Sequence, residues 1–600
     1  MSYEQLCKSS YDVFGGYVKL AEDEKTDLQE AIRFLKLKVR AEEVRAFATA
    51  ALVFGFIFSV IFVLLLSAAL GFSIFWLLFL AAAPVLYYYL KDYPVLLKRS
   101  EKEKVMNQVP EVMSYLIMSL RINPNIERAM KFAAEHSRGL FKQVFKKMMY
   151  EVHTGRYSAE RGLANMADEW GPLCEEFRRA MRLVIASTSE KTETRRQVTL
   201  DNATDVLLTG LSKRTDNAAR ALHTPVMMVF TFGVVLPLVF VALIPFISLM
   251  GVSIGVRAIA IIYTVALPVF LYVLINFISS SRPLTISPPD IPKKEQPKFT
   301  ALPLAVLAGG LMMAPGILYL YGFDFGLGNL AYMPFIWGFA ASAGIYCYFS
   351  TKKIKDIRAR IKAVENEFSE TLYQLGVIMS EGRSFEDAMG RIKTITSESK
   401  SASFFQVAAN NIRMFNTDIK SAFFNHKYGS LRKVYSDMIR GAVDTIIAVS
   451  DKGSNTIASV AFRLAEHINN MKKIDSEIEK ALGSVVSSMK MVAMVIGPLV
   501  GGMISSMSVV LAKSMLTSSG GAAAIGFGGG AAAPIDPKAI TLIIAIYAVE
   551  SAIILTIFAT DLIYGKDNVM RKYNVGISIV VAVFVFTICS WGSSAIFGGM

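Results

Sequence analysis

FATAALVFGFIFSVIFVLLLSAALGFSIFWLLFLAAAPVLYYYL, residues 47–90, runs for 44 positions without a Lys, Arg, Asp or Glu. A helix that crosses a bilayer needs about 20 apolar residues, so the stretch reads as a hairpin of two spans, 47–90, turning near Ala69–Gly71. Residues 221–281 carry one charge, Arg257, and read as a second hairpin with its turn around Gly251–Arg257. A third fits 299–351, where Asp324 is the only charge and the Gly-rich turn Tyr321–Asn329 divides the halves. Single spans are expected at Met491–Ala512, Ala539–Leu562 and Tyr573–Phe597, which makes nine. The fold class is therefore all-α, a polytopic helical membrane protein.

The remaining sequence is charged, and its charges are sorted. The chain has 600 residues, is 53% apolar with a mean hydropathy of +0.43, and sets 63 Lys+Arg against 49 Asp+Glu. With the N-terminus inside, 60 of those 63 basic residues fall on the inner side and only Arg257, Lys513 and Lys538 on the outer. Basic residues concentrate on the cytoplasmic side of spans, so the N-terminus is expected in the cytoplasm, the C-terminus outside the cell membrane. Tyr87, Tyr88, Tyr89 and Tyr93 stand where an interfacial belt closes the second span. The net +14 is thus a topological signature, and no nucleic acid is expected as a partner. Cys7, Cys174, Cys347 and Cys589 form no short-spaced framework. The first 46 residues hold nine acidic and eight basic side chains, too many for a cleavable signal peptide. Leu28, Ile32, Leu35 and Val39 recur there at helical spacing and predict an amphipathic segment packed on the protein itself or, as the alternative, lying on the lipid headgroups.

Only residues 91–220 and 352–490 are long enough for folded domains outside the membrane. Val105, Val109, Val112, Leu116 and Leu120 step by threes and fours, as do Val364, Phe368, Leu372, Leu375 and Met379, so both blocks predict helical bundles. The blocks also match each other. At an offset of 259, Glu111, Leu116, Ile126, Glu127 and Ala129-Met130 fall on Glu370, Leu375, Phe385, Glu386 and Ala388-Met389. At 261, Leu236-Pro237-Leu238-Val239 meets Gly497-Pro498-Leu499-Val500. The first block breaks its helix at Asn123-Pro124, read as an N-cap and a first helical proline; the second does so at Gly382, with Ser384 and Asp387 as a capping box.

Leu375 through Gly382-Arg383-Ser384-Phe385-Glu386-Asp387-Ala388-Met389, and Leu116 through Asn123-Pro124-Asn125-Ile126-Glu127-Arg128-Ala129-Met130, then Thr154-Gly155-Arg156-Tyr157-Ser158, carry a resemblance. The pattern resembles the F domain of type II secretion and type IV pilus machines. Two copies on one chain are similar to the archaeal platform proteins of archaella and adhesion pili. Over about 95–250 and 355–511, this resemblance implies two cytoplasmic F domains in parallel repeat. It implies a platform for pilus or archaellum assembly and protein secretion, with four partners: a cytoplasmic secretion or assembly ATPase, pilin-like or archaellin subunits, the lipid bilayer, and a second copy in a homodimer.

Catalytic patterns are missing from the sequence. There is no G-x-x-x-x-G-K-[ST] phosphate loop, and within the Gly/Ala-rich exterior loop 513–538 the Gly-rich stretch Ser518–Ala533 is followed by Pro534-Ile535-Asp536 rather than Lys and a helix. His136, His153, His223, His426 and His467 make no ligand pair, so no enzyme activity, metal or cofactor is expected. Candidate docking cations for the ATPase are Lys142, Lys146, Lys147, Arg178, Arg182, Arg195 and Arg196 in the first block and Lys427, Arg432, Lys433 and Arg440 in the second. A solvated basic face is the plain alternative. Glu550 stands mid-span, where a charge is costly and has to be paired, protonated or turned inward. Its readings are a packing contact, a seat for a pilin-like helix, or the proton path of a transporter or channel. Pro237, Pro245, Pro268 and Pro498 predict helix kinks that could act as hinges. The Pro-rich stretch 282–298 reads as a semi-rigid linker.

Overall fold

The structure is a computed structural model. It describes residues 3–17, 22–35, 37–70, 82–98, 109–137, 139–171, 174–249, 256–279, 302–323, 330–396, 399–522, 537–565 and 567–597. The linker 282–298, most of the loop 513–538 and most of the three expected hairpin turns lie outside these residues.

The N-terminal helices α1 (Tyr3–Phe14) and α2 (Glu22–Leu35) pack on α3 (Ala41–Leu70), which is followed by α4 (Ala82–Lys91). Cys7, Leu28, Ile32, Val39 and Val44 form their shared core, so the apolar stripe of the first segment is spent inside the protein. Glu24 ties the group together by pairing with Lys91 and Arg45.

The first block contains α5 (Val109–Ile122), α6 (Ile126–His136), α7 (Gly139–His153), α8 (Ala159–Trp170), α9 (Glu175–Ser187) and α10 (Glu193–Phe230). Its core is Met113, Leu116, Phe141, Phe145, Leu163, Phe177 and Leu200, all but inaccessible. Beyond it run α11 (Leu236–Leu249), α12 (Val256–Ile261), α13 (Leu267–Ser279) and α14 (Leu302–Leu320). The second block contains α15 (Met333–Ser380), α16 (Phe385–Ile395), α17 (Lys400–Phe415), α18 (Ile419–Phe424), α19 (Asp437–Ala448) and α20 (Ser454–Met491), around Phe368, Leu375, Phe405, Phe423 and Ile446. The chain continues with α21 (Gly497–Ala522), α22 (Pro537–Tyr564) and α23 (Asn568–Phe597), and no strand occurs among the described residues.

Helix order is the same in the two blocks, and after the first pair, where α5 has 14 residues and α15 has 48, most lengths run in parallel. Helices α6 and α16 both have 11 residues and start 259 apart. Helices α10 and α20 both have 38 and start 261 apart. The clearest departure is at α8, 12 residues long, where the second block has the six-residue α18 and a loop over residues 425–436.

The helix break in the first block differs from the expected one. Pro124 forces the residue before it out of the helical region, so the cap falls not on Asn123 but on Asn125, whose side chain accepts the Arg128 N–H at 3.0 Å. In the second block Gly382 has φ +82°, as a helix stop requires, and the Ser384 hydroxyl accepts the Asp387 N–H. The Asp387 carboxylate does not complete the box; it accepts from Arg383 and Arg391, each at 3.2 Å.

Among the described residues, seven helices are long and apolar enough to cross a membrane, within Ala41–Leu64, Arg220–Ile244, Val256–Asn276, Leu302–Leu320, Ser454–Val510, Lys538–Tyr564 and Asn568–Ile596. Of the nine expected spans, the second runs largely through 71–81, outside the described residues, and the sixth is the apolar start of α15. That start, MPFIWGFAASAGIYCYFS, is diluted by Gly, Ser and Tyr and is not among the seven. Two block edges read from charge are not helix ends: α10 runs unbroken across 220/221 and α15 across 351/352. Small residues bring the apolar helices together, as is usual in membranes. A Cβ on Gly309 would lie 1.8 Å from Ser342 Oγ, and one on Gly502 would lie 2.8 Å from the Phe586 carbonyl. Outward faces carry Leu307, Leu311, Phe58 and Phe584, each more than 60% exposed, which lipid would cover.

Candidate functional site

The two arms α10 and α20 pack against each other, and each enters its following helix through a π-turn. The turns are Thr231–Val235 and Val492–Ile496, 261 residues apart, each ending two residues before a proline. A third, Ile262–Ala266, precedes Pro268 in the same way. The cause is local. Proline has no N–H to give to the carbonyl four residues earlier and its ring crowds that carbonyl, so the turn ahead of it widens. Of the prolines read as kinks, Pro237, Pro268 and Pro498 each follow a π-turn, whereas Pro245 lies within the α-helix α11.

Pro237 thereby frees the Gly233 carbonyl, and Tyr547 of α22 donates its hydroxyl to that oxygen. Tyr263, in the third π-turn, donates to the Pro237 carbonyl at 2.6 Å. The two rings meet edge to face at 5.5 Å, and both are buried. Gly497 lies against Val234, so the paired π-turns touch at that point. Replacing Tyr547 by Phe leaves the Gly233 carbonyl unpartnered among apolar groups, which costs about 1–3 kcal/mol. The expected result is a lower thermal midpoint for the detergent-solubilised Y547F variant, and an unchanged midpoint would show that this hydroxyl holds nothing.

Glu550 sits one turn beyond Tyr547. Tyr547, Ala548, Ser551, Ala552 and Leu555 are buried, whereas Leu542, Ile546, Glu550, Ile553 and Ile557 form a stripe that is only partly covered. The sequence reading required Glu550 to face inward, be paired or be protonated. Its Oε2 is shielded from solvent with no hydrogen-bond partner among the described residues, and the residue belongs to the least covered face of α22.

The candidate docking cations divide. In the first block, Arg178 pairs with Glu175 at 3.6 Å and Arg182 with Asp168 at 3.0 Å. Arg195, Arg196 and Lys147 pair with Glu190, Glu193 and Glu151, each at 3.9 Å. Lys142 and Lys146 make no ion pair among the described residues. In the second block, Arg440 is partly buried and donates to the Val434 and Leu431 carbonyls at 3.2 Å, a structural brace. Lys427, Arg432 and Lys433 are exposed and make no ion pair among the described residues; Arg432 donates to the Lys427 carbonyl at 2.8 Å.

A third cluster was not anticipated. Between the charged portions of α15 and α20, Lys362 pairs with Glu479 at 2.7 Å, Lys472 donates to the Asn366 carbonyl and Ser369 Oγ, and Glu365 accepts from Ser436. Burial pushes Asp475 up to about 6, against Lys362, with Glu479 and Glu365 adding to the rise. Burial raises Glu365 too and lowers Lys472. Nearby, Asp567 at the start of α23 accepts from Arg358 of α15. Sequence offered no signal for this seam, because Glu365 and Asp475 are brought together only by packing.

Comparison with known protein families, curated proteins and solved structures gave no match.

Proposed function

We propose that this chain is the cell-membrane platform of a filament-assembly machine of the type IV pilus and archaellum kind. In this reading it has nine spans and two F-domain-like blocks in parallel repeat. Both blocks and the N-terminus face the cytoplasm, and the C-terminus lies outside. The observation that carries the proposal is the pair of blocks with matching helix order, each leading through a 38-residue arm and a π-turn into an apolar proline-bearing helix. A cytoplasmic assembly ATPase supplies the work, and the arms pass its movement to the membrane. Pilin-like or archaellin subunits are handed on by their apolar helices, for which the half-open stripe around Glu550 is a suitable seat.

Reversing Lys142, Lys146, Lys147, Arg432 and Lys433 to Glu is expected to weaken ATPase binding at least about tenfold at physiological salt, since cross-interface charges set encounter and register. Filament assembly is expected to stop. Survival of both would remove the docking role. The unpartnered Glu550 oxygen favours one second reading, a transporter or proton channel. Normal filaments from an E550Q variant, together with lost proton flux in proteoliposomes, would decide for it.

A further inference from the structure

The blocks differ most where α18 is cut short, and the difference is a surface. Helix α17 ends at Asn416, whose φ of +46° turns the chain sharply and leaves Met414 and Phe415 on the corner, 79% and 55% exposed. The Phe415 ring lies 5.0 Å from that of Tyr428, in the loop over residues 425–436. That loop is built rather than loose. Buried Asn411 donates to the Ala422 and Tyr428 carbonyls, Ser430 and Leu431 donate to the Ala422 and Phe423 carbonyls, and Arg440 holds Leu431 and Val434 from beneath. A side chain at Gly429 would come within 2.4 Å of the Asn425 carbonyl, so the turn is fixed there. The rigid loop then presents Lys427, Arg432 and Lys433 beside two exposed apolar side chains. Asp418, ahead of the loop, is occupied in capping α18 through the Ser421 N–H. Among the described residues the first block shows no equivalent: its exposed large apolar side chains there are Tyr150 and Val198, and most of its candidate cations are neutralised by its own carboxylates.

We propose that the Met414–Phe415 corner and the 425–436 loop form a docking surface for a folded protein that offers an apolar recess rimmed by carboxylates. Met414 and Phe415 enter the recess, and Lys427, Arg432 and Lys433 meet the rim. The arrangement is that of an interface centre, apolar anchors in a charged ring, already ordered before binding. A membrane surface is the less fitting occupant. Helix α17 crosses α15 at Phe368, against Phe404 and Phe405, 17 residues past Thr351. At 1.5 Å per residue that is about 26 Å beyond the apolar segment, while the ten residues from Phe405 to Phe415 reach only about 15 Å.

The inference rests on the platform reading, since it takes the partner to be the assembly ATPase. The test uses the full chain in lipid nanodiscs and the purified secretion-type ATPase of the same organism, with affinity and association rate measured over a salt series. The wild-type chain should bind. M414S/F415S should weaken binding about 30-fold or more with little change in association rate, as loss of buried anchors does. K427E/R432E/K433E should slow association and flatten the salt dependence. F415L should keep most of the affinity. An M414S/F415S chain that unfolds like wild type and binds the ATPase at full strength overturns this inference and leaves the platform reading standing. Absence of wild-type binding at low salt overturns both. Wild-type binding to vesicles with 30% anionic lipid, lost in M414S/F415S, with no ATPase binding, assigns the surface to the membrane instead and also overturns it.

Discussion

Replacing Asp567 by Ala is expected to destabilise the folded protein by about 3–5 kcal/mol, the usual cost of removing one partner from a buried ion pair. The carboxylate is 4% exposed and accepts from Arg358, itself 19% exposed, where α15 passes the turn between α22 and α23. Its other oxygen accepts the Val569 N–H at 2.9 Å, so the same side chain caps α23, an interaction worth about 1 kcal/mol. Arg358 Nε already lacks a partner, and losing Asp567 would leave a shielded guanidinium with little to bind. Asp567→Asn should keep the cap and lose less than Ala. The double variant D567A/R358M should recover part of the loss, because it removes the stranded charge. Thermal unfolding of wild type, D567A, R358M and D567A/R358M in one detergent closes the cycle. A drop below about 1 kcal/mol for D567A would mean that water reaches the pair.

That pair matters because of what it joins. Arg358 lies a few residues beyond the apolar start of α15, and Asp567 begins the last apolar helix, so the contact binds the second block to the final hairpin. The neighbouring pair Arg571–Asp561 and the contacts Thr556–Ser578 and Asn574–Thr560 fasten that hairpin to itself. Movement of α15 would therefore carry α22 and α23 with it, and Tyr547 and Glu550 are both on α22.

Runs without charge and threefold or fourfold spacing depend on neighbours in sequence, and they foretold the helices and their apolar portions. Helix ends were harder to read. A change from apolar to charged marks where a bilayer would stop, but backbone hydrogen bonding has no reason to stop there, and α10 and α15 continue through it. The break at Asn123-Pro124 slipped by two residues because proline restrains the residue before it as well as its own position. In the site, the prolines were visible and the hydroxyls that satisfy them were not: Gly233 and Tyr547 are 314 residues apart. A tyrosine in the middle of an apolar helix, far from an interfacial belt, was the available sign, because a buried phenol has to find a partner. The basic surface was legible as composition only. Which cations are occupied depends on carboxylates delivered by folding, as with Asp168 for Arg182.

The seam between α15 and α20 gives the second large effect, and it depends on pH. Asp475 moves from its ordinary value of 3.8 up to about 6 because burial disfavours the carboxylate. The groups facing it are Lys362 and Glu365 from α15 and Glu479 from its own helix, and Lys472 and Ser436 in turn face Glu365. The folded protein holds the proton that the unfolded chain has released, so stability rises as pH falls from 6 toward 4. Above about 6 both states are ionised and the whole penalty is present, up to about 3 kcal/mol at 1.36 kcal/mol for each unit. Asp475→Asn removes the charge while keeping the size. The variant should therefore be more stable than wild type by up to about 3 kcal/mol at pH 8, with the advantage shrinking through pH 6 and vanishing near pH 4. Glu365 is raised in the same direction, so some slope should remain in D475N and disappear in D475N/E365Q. A difference between wild type and D475N that stays constant from pH 4 to 8 would place the effect in packing rather than ionisation. A carboxylate that weakens the seam at neutral pH has a physical consequence for the arms. It keeps α20 from binding α15 at full strength, and two helices less than optimally joined can separate at smaller cost when the blocks are pulled.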